Sequence, residues 1–280
     1  MPAQPWTTVG DGPHDVRLVV ADMDGTLLTA CGEVPEGFWP LLDEMGRRGV
    51  TFVPASGRQL ATLQRVFERA PVRLSYVAEN GTLVVHEDEV VSTTTVAADV
   101  VREVIATVRD AAAEGADLGL VLCGVRSAYV ERADEVFLAE ARRYYARLEI
   151  VEDLTTVDDG VLKLAAYDVE DAERHVEPVF GAVAQTHQVV VSGKHWIDVM
   201  ERGVDKGQGV RALQERLGVT PAQTAIFGDY LNDLQMLEAG DYSFAMADAH
   251  PDLIAAARYL APAYDADGVV QVLTHLLARP

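Results

Sequence analysis

Two hydrophobic patterns alternate along the first part of the chain. Short continuous apolar runs, typical of strands buried on both faces, occur at 16–24, 50–58 and 74–85. Between them, residues 35–50 and 59–70 carry the apolar spacing of helices. Strands and helices that alternate with connections of this length predict parallel βαβ units with right-handed crossovers.

The pattern changes near residue 84 and returns near residue 194. The sequence between them predicts a hairpin followed by mixed helices and strands, and "HWIDVME" is predicted to resume the first pattern. We therefore expect an α/β fold, in which a Rossmann-like, doubly wound parallel sheet carries an inserted α+β cap domain. The predicted core comprises 16–83 and 194–280, the cap comprises 84–193, and 1–15 form a loose tail.

Composition narrows the class of protein. The chain has 280 residues with 49% apolar content, which favours a globular protein, and no apolar run reaches 18 residues. Its start has neither the basic nor the apolar region of a secretory signal. Cys31 and Cys123 lie outside any CxxC or Cys/His cluster, so neither a disulfide framework nor a zinc site is expected. We expect a cytoplasmic protein without a membrane span.

The net charge of −21, from 44 acidic and 23 basic residues, limits the partners. Such a field repels nucleic acid, anionic membranes and phosphate esters alike. We therefore expect neither nucleic acid nor membrane as a partner. An anionic substrate would require a metal ion and a few local cations at its site.

Polar residues follow four of the predicted core strands. In open parallel sheets, ligands bind beyond the carboxyl ends of the strands. A lysine also opens a helix shortly before the last of these strands. The residues expected at this edge are Asp22 and Asp24, Ser56, Asn80, Lys206 and Asp229.

Two acidic pairs carry the strongest chemical signal. Asp22 and Asp24 precede Gly25-Thr26, and could be a helix cap and a turn residue, but adjacent carboxylates repel unless a cation joins them. Asp229 and Asp233 are spaced to share one helix face, where capping is the alternative interpretation. Together these oxygens suit octahedral Mg²⁺.

Ser56-Gly57-Arg58 and Lys206 are weak signals when taken singly. A serine before a helix is an ordinary N-cap, and a lone lysine is usually a surface residue. As a set they fit an anion site, because a hydroxyl, backbone N–H groups and one ammonium can all bind phosphoryl oxygens.

Four motifs in order give a resemblance to a known family. "DMDGTLL", "SGR", the lysine of "GVDKGQGV" and "GDYLND" resemble the motifs of the haloacid dehalogenase-like phosphatases, in their Cof-type subgroup with a large α/β cap. "AENGTLV", "FAMADAHPDLIAAARYLAP" and "DADGVVQVL" also resemble that subgroup. Tyr230, Asp248 and Asp265 depart from its usual residues, which bears on substrate contacts and cap closure.

The resemblance implies a mechanism. Asp22 would be the nucleophile that forms an aspartyl phosphate, and Asp24 would act as general acid and then as general base. Mg²⁺ would bind the carboxylates of Asp22 and Asp229 and the backbone carbonyl of Asp24, with Asp233 orienting a water molecule or Lys206. The expected phosphate-binding residues are Ser56, Gly57, Lys206 and Asn232, helped by the N–H groups of Met23 and Gly57.

The implied function is a Mg²⁺-dependent phosphatase that acts on small phosphorylated metabolites, with sugar phosphates as the expected class. The alternatives are a phosphomutase of sugar phosphates on the same scaffold and a non-catalytic phosphometabolite-binding module. The cap would act as a lid that reads the leaving group. Its candidate readers, each with a surface or hinge role as the alternative, are Arg126, Lys163, Ser192, Lys194 and His195. The oligomeric state stays open between monomer and homodimer.

Overall fold

The computed structural model describes residues 3–10 and 14–278, except for the side chains of residues 192 and 193. Its strands, in chain order, are β1 (Gln4–Pro5), β2 (Leu18–Asp22), β3 (Thr51–Ala55), β4 (Ser75–Ala78), β5 (Leu83–His86), β6 (Glu89–Thr93), β7 (Leu118–Gly124), β8 (Ala128–Val130), β9 (Leu148–Ile150), β10 (Val161–Asp168), β11 (Gln188–Gly193), β12 (Trp196–Met200), β13 (Thr224–Gly228), β14 (Tyr242–Met246) and β15 (Tyr259–Ala261).

The helices alternate with these strands, as the hydrophobic pattern predicts. In chain order they are α1 (Phe38–Arg47), α2 (Leu60–Val66), α3 (Ala98–Ala113), α4 (Glu135–Tyr144), α5 (Ala172–Phe180), α6 (Lys206–Leu217), α7 (Leu234–Leu237), α8 (Pro251–Ala256) and α9 (Gly268–Leu276). Of the helices in the described part of the chain, none is long and apolar enough to cross a membrane.

The chain divides into two compact units, residues 1–92 with 205–280 and residues 93–204. The first unit holds a nine-stranded sheet in the order β1-β15-β14-β13-β2-β3-β4-β5-β6. Neighbouring strands from β1 to β4 in this order pair in parallel, and β5 pairs antiparallel with β4. Every residue of β2 and β13 is buried, which explains their continuous apolar runs. The predicted α/β fold with a parallel core sheet is confirmed.

The second unit holds a six-stranded sheet in the order β11-β12-β10-β7-β8-β9. All its pairs are antiparallel except β8 with β9. One face packs against α3 and α5, and the other packs against α4, so the sheet has an apolar cluster on each side.

The unit boundaries differ from those predicted at both ends of the insert. The β5–β6 hairpin, expected to open the cap, extends the core sheet, because the tight turn after β4 returns the chain directly onto that strand. β12, expected in the core, lies in the second sheet. Only two residues separate it from β11, so the two strands form a hairpin.

The N-terminal segment also differs from the predicted loose tail. β1 pairs in parallel with β15, and the Gln4 N–H donates to the Arg258 carbonyl over 2.9 Å. The Trp6 ring meets His275 of α9 edge-on, with centroids 5.6 Å apart. Residues 3–10 therefore belong to the core unit, while 1–2 and 11–13 lie outside the described residues.

Candidate active site

Asp22 ends β2 at the carboxyl edge of the core sheet. Ala21 is in register with Phe227 of β13, and Asp22 with Ala55 of β3. The residues that follow these two neighbouring strands are therefore brought beside Asp22. That placement agrees with the edge predicted from the polar residues at the strand ends.

Four buried or half-buried charged residues meet at this edge, and we call them the carboxylate–lysine cluster: Asp22, Lys206, Asp229 and Asp233. Each of the three acids offers a carboxylate oxygen within 4.8 Å of those of the other two. The ammonium of Lys206, at the start of α6, donates to Asp22 Oδ1 over 2.5 Å and to Asp233 Oδ1 over 2.7 Å. Lys206 is only 1% exposed, so this lysine serves the cluster rather than the surface.

Burial and mutual repulsion set the titration of the cluster. Burial raises the pKa of the Asp22 carboxyl above its usual range, and Lys206 offsets part of that rise. Burial and the charge of Asp233 raise the pKa of Asp229 to about 6. Burial lowers the pKa of Lys206, but Asp22 and Asp233 raise it by more, so the ammonium stays charged. Three carboxylates around one ammonium leave an excess of negative charge.

Backbone N–H groups orient Asp233, and a threonine hydroxyl orients Asp229, the two acids that follow β13. Asp233 Oδ2 accepts from the N–H groups of Asp229 and Tyr230 over 3.1 and 3.3 Å, which leaves Oδ1 for Lys206. Thr26 donates to Asp229 Oδ1 over 3.2 Å. Gly25 has φ +77°, and a Cβ there would overlap Asp229 Oδ2, so this turn requires glycine for two reasons.

The Asp24 carboxylate pairs with Arg58 and is not part of the carboxylate–lysine cluster. It is exposed and accepts two hydrogen bonds from Arg58, over 3.1 Å from Nε and 2.5 Å from a terminal nitrogen. Arg58 was not among the predicted site residues. Its position directly after Ser56-Gly57 was the available signal, since an arginine there can reach across to the neighbouring strand end.

The predicted phosphate-binding residues after β3 and β13 meet through Asn80. The buried Ser56 hydroxyl accepts from the Arg58 N–H over 3.2 Å. The Asn80 side chain lies against Gly57, and the Asn232 amide donates to Asn80 Oδ1 over 3.4 Å. The sequence predicts Asn80 at this edge of the sheet as a polar residue after β4, but its residue type alone indicates no role.

The remaining predicted residues lie outside these contacts. Tyr230 is exposed, with its ring edge-on to His250 at 5.7 Å, and Asp248 and Asp265 are also exposed. Within the second unit, Lys163 forms a buried ion pair with Asp198 over 3.5 Å. Arg126 pairs with Asp159, His195 Nδ1 contacts the Asp168 carbonyl, and Lys194 is exposed. The Ser192 side chain lies outside the described part of the chain.

The donors in the cluster fit a hard divalent cation. Carboxylate oxygens are the ligands that Mg²⁺ prefers, and it is commonly held by one or two carboxylates together with water and phosphate. Asp22, Asp229 and Asp233 supply such oxygens in one place, and the excess negative charge favours a cation there.

Comparison with known proteins agrees with this geometry. Residues 19–273 match the family model of the haloacid dehalogenase-like hydrolases. The chain is 31% identical to the 5-amino-6-(5-phospho-D-ribitylamino)uracil phosphatase YbjI of Escherichia coli, covering 94% of this chain and 96% of the relative. It is 27% identical to the HMP-PP phosphatase of Cronobacter sakazakii, covering 94% and 97%. The solved structure of TM0651 from Thermotoga maritima aligns with a TM-score of 0.83 at 25% identity, over 92% of this chain and 96% of that one.

Proposed function

The chain belongs to the haloacid dehalogenase-like hydrolases and is a phosphoric monoester hydrolase, and we propose that Asp22 is its nucleophile in a Mg²⁺-dependent reaction. The observation that carries the proposal is the carboxylate–lysine cluster, in which Lys206 holds Asp22 at the edge of the sheet. The ammonium fixes the direction of the carboxylate and places positive charge where an anionic phosphate must approach.

The residues have separate tasks in the proposed reaction. An Asp22 oxygen forms a bond to phosphorus as the bond to the ester oxygen breaks, which gives an aspartyl phosphate. Asp24 gives a proton to the leaving oxygen. It later takes a proton from the water whose oxygen bonds to phosphorus as the bond between phosphorus and the Asp22 oxygen breaks, which releases inorganic phosphate and restores the Asp22 carboxylate. To do so, the Asp24 carboxylate exchanges Arg58 for the substrate. Ser56, Gly57, Lys206 and Asn232 bind the phosphoryl oxygens.

Mg²⁺ is assigned to the carboxylates of Asp22 and Asp229 and to the Asp24 backbone carbonyl, with Asp233 beside them. When bound, it would screen the repulsion between the carboxylate nucleophile and the phosphate and would stabilise the charge that develops in transfer. Asp233 is already engaged by Lys206 and two backbone N–H groups, so we assign it to orienting the site more than to direct ligation.

For the substrate we propose small phosphorylated metabolites, with sugar phosphates as the first class to examine. The name of the Escherichia coli relative describes a phosphate on a ribitylamino-uracil, and the name of the Cronobacter sakazakii relative gives HMP-PP, so the two relatives act on different compounds. A panel should therefore span sugar phosphates, phosphorylated pyrimidine derivatives, nucleotides and a nitrophenyl ester.

The free thiols of Cys31 and Cys123 support a reducing, cytoplasmic setting for the protein.

Light scattering at several protein concentrations would distinguish a monomer from a homodimer.

The test measures phosphate release from this panel with Mg²⁺ or with EDTA. We expect turnover that requires Mg²⁺, and a fall of at least about 1,000-fold in Asp22→Asn, because the amide is a poor nucleophile. Asp43→Asn, at an exposed position on α1, is the matched control and should keep full activity.

Two outcomes would redirect the proposal. Isomerised sugar phosphate with little free phosphate, dependent on a bisphosphate activator, would indicate a phosphomutase. Mg²⁺ binding without release from any ester, in a folded protein, would indicate a binding module.

A further inference from the structure

The turn that follows β4 has an unusual backbone. Glu79, Asn80 and Gly81 take consecutive positive φ angles of 49°, 57° and 97°. Residues other than glycine adopt this region infrequently, and such conformations persist where the surroundings impose them. Gly81 is required, because a Cβ there would overlap the carbonyl oxygen of Asp205, the N-cap of α6.

Backbone hydrogen bonds from this turn hold the loop that follows β3. The Asn80 N–H donates to the Ser56 carbonyl over 3.0 Å, and the Glu79 N–H donates to the Arg58 carbonyl over 3.1 Å. The two bonds bracket Gly57 from either side. The conformation of the turn therefore fixes the direction of the backbone at Gly57.

The Asn80 side chain joins two loops that are far apart in sequence. A Cβ added to Gly57 would lie 3.0 Å from Asn80 Nδ2 and 3.1 Å from Oδ1, so the amide rests against the bare face of the glycine. The same Oδ1 accepts a hydrogen bond from Asn232 over 3.4 Å. Asn80 thus contacts both Gly57 and Asn232, which come from the loops after β3 and β13.

We propose that Asn80 is a positioning residue for the phosphoryl site. Its backbone and its amide together hold the Gly57 N–H and the Asn232 side chain in the arrangement that receives the phosphoryl oxygens. This inference rests on the proposed function, because it needs Gly57 and Asn232 to bind phosphate. The competing interpretation is that Asn80 is only a turn residue, chosen because asparagine tolerates a positive φ.

Three variants separate the two interpretations. Asn80→Gly keeps the backbone conformation and removes the amide. Asn80→Asp keeps a side chain of nearly the same shape but adds a negative charge beside the phosphate. Glu87→Gly is the matched control, since Glu87 also has a positive φ, of 47°, and lies exposed in the β5–β6 turn.

For each variant, kcat and KM would be measured on the best ester, with the inhibition constant of inorganic phosphate and the unfolding midpoint in urea. For Asn80→Gly we expect an unchanged or higher midpoint, with kcat/KM lower by about tenfold, mostly through KM, because a polar contact that orders the site is lost. The inhibition constant of phosphate should rise by the same factor. In Asn80→Asp, the loss of kcat/KM and of phosphate affinity should be larger. Glu87→Gly should match the wild type.

Kinetic constants within twofold of the wild type in both Asn80 variants would overturn the inference. If Asn80→Gly fails to fold, the kinetic constants of Asn80→Asp alone decide between the two interpretations. If the wild type hydrolyses no ester but binds inorganic phosphate in calorimetry, the proposed function fails, and the affinities of the variants for phosphate decide the role of Asn80. If the wild type with Mg²⁺ does not bind inorganic phosphate, both proposals fail.

Discussion

Lys206 is the residue on which the charge balance of the site depends. Its ammonium is buried between Asp22 and Asp233, with Asp229 beside them. Buried ions are costly to desolvate, and removing one partner leaves the others uncompensated. The same contact therefore serves the stability of the core and the orientation of the proposed nucleophile.

Lys206→Met should destabilise the protein strongly. We expect the free energy of unfolding to fall by about 3–5 kcal/mol in metal-free buffer, because two buried carboxylates lose their counter-charge. Urea denaturation measures this, with Lys194→Met, at an exposed position, as the control that should stay within about 0.5 kcal/mol of the wild type. Equal stability of the two variants would show that the cluster is not held by charge.

Asp229 should make the metal-free protein less stable as the pH rises. Its pKa is about 6 in the folded state and about 3.9 in an unfolded chain. Between these values the folded state binds more protons, so the free energy of unfolding falls as the pH increases and levels off above about 6.

Asp229→Asn removes this contribution. The free energy of unfolding of the variant should therefore rise relative to that of the wild type as the pH rises from about 4 to about 6. Urea denaturation in EDTA at several pH values measures the difference between the two proteins. A difference that stays constant across this range would contradict the assigned shift. With Mg²⁺ at neutral pH, the wild type should instead be the more stable of the two proteins, because only the wild type keeps the full metal site.

At the scale of elements, the turn after β2 determines how closely the Asp229 carboxylate approaches the Asp22 carboxylate. Gly25 leaves the space that Asp229 occupies, and Thr26 fixes one of the oxygens of Asp229. The turn after β2 and the loop after β13 therefore have complementary shapes. The residues at one of them restrict the residues that the other can accept.

Gly25→Ala should weaken Mg²⁺ binding, because the new methyl group displaces the Asp229 carboxylate. Gly32→Ala is a matched control: Gly32 has φ +75° against +77° for Gly25, but open space surrounds it. Both variants should lose about 1 kcal/mol of stability from the strained φ. Calorimetric titration with Mg²⁺ should give about tenfold weaker binding in Gly25→Ala alone. Equal affinities would contradict the fitted turn.

The elements that hydrophobic pattern predicts well are those with continuous burial. The apolar runs of β2 and β13 identify strands covered on both faces, and Gly218 ends α6 in the left-handed conformation that favours glycine. The hydrophobic pattern could not show which of the two sheets contains β6 or β12, because that depends on the strand with which each one pairs. For β12, the two-residue turn after β11 was the missed signal.

The same distinction holds for the candidate site. Its charged centre could be predicted because strand ends in a parallel sheet converge on one edge, which brought Asp22, Lys206 and Asp229 together. The contacts of Arg58 and Asn80 could not be predicted, although both residues follow core strands, because these contacts depend on side-chain direction and on a strained turn. Neither property is visible in residue type alone.

At the scale of the whole molecule, the net charge of −21 opposes folding and opposes the approach of phosphate esters. The cluster adds to this field instead of relieving it. Cations in solution should therefore act on the protein in two ways, by screening the surface and by occupying the cluster.

Salt should separate these two effects. Raising NaCl from about 10 mM to about 150 mM shortens the screening length from about 30 to about 8 Å, so the melting temperature should rise. MgCl₂ at equal ionic strength should raise it further, and that extra rise should disappear in Asp229→Asn. Scanning calorimetry measures both. Identical melting temperatures in the two salts would contradict specific binding at the cluster.

The short β1 strand has a practical consequence for anyone who handles the protein. It covers the open edge of β15, where unpaired backbone groups would otherwise be available to the edge of another molecule. A shortened chain designed to begin at β2 would trim what looks like a dispensable leader and uncover that edge. The shortened protein would be prone to precipitate, although it retained every residue of the reaction centre.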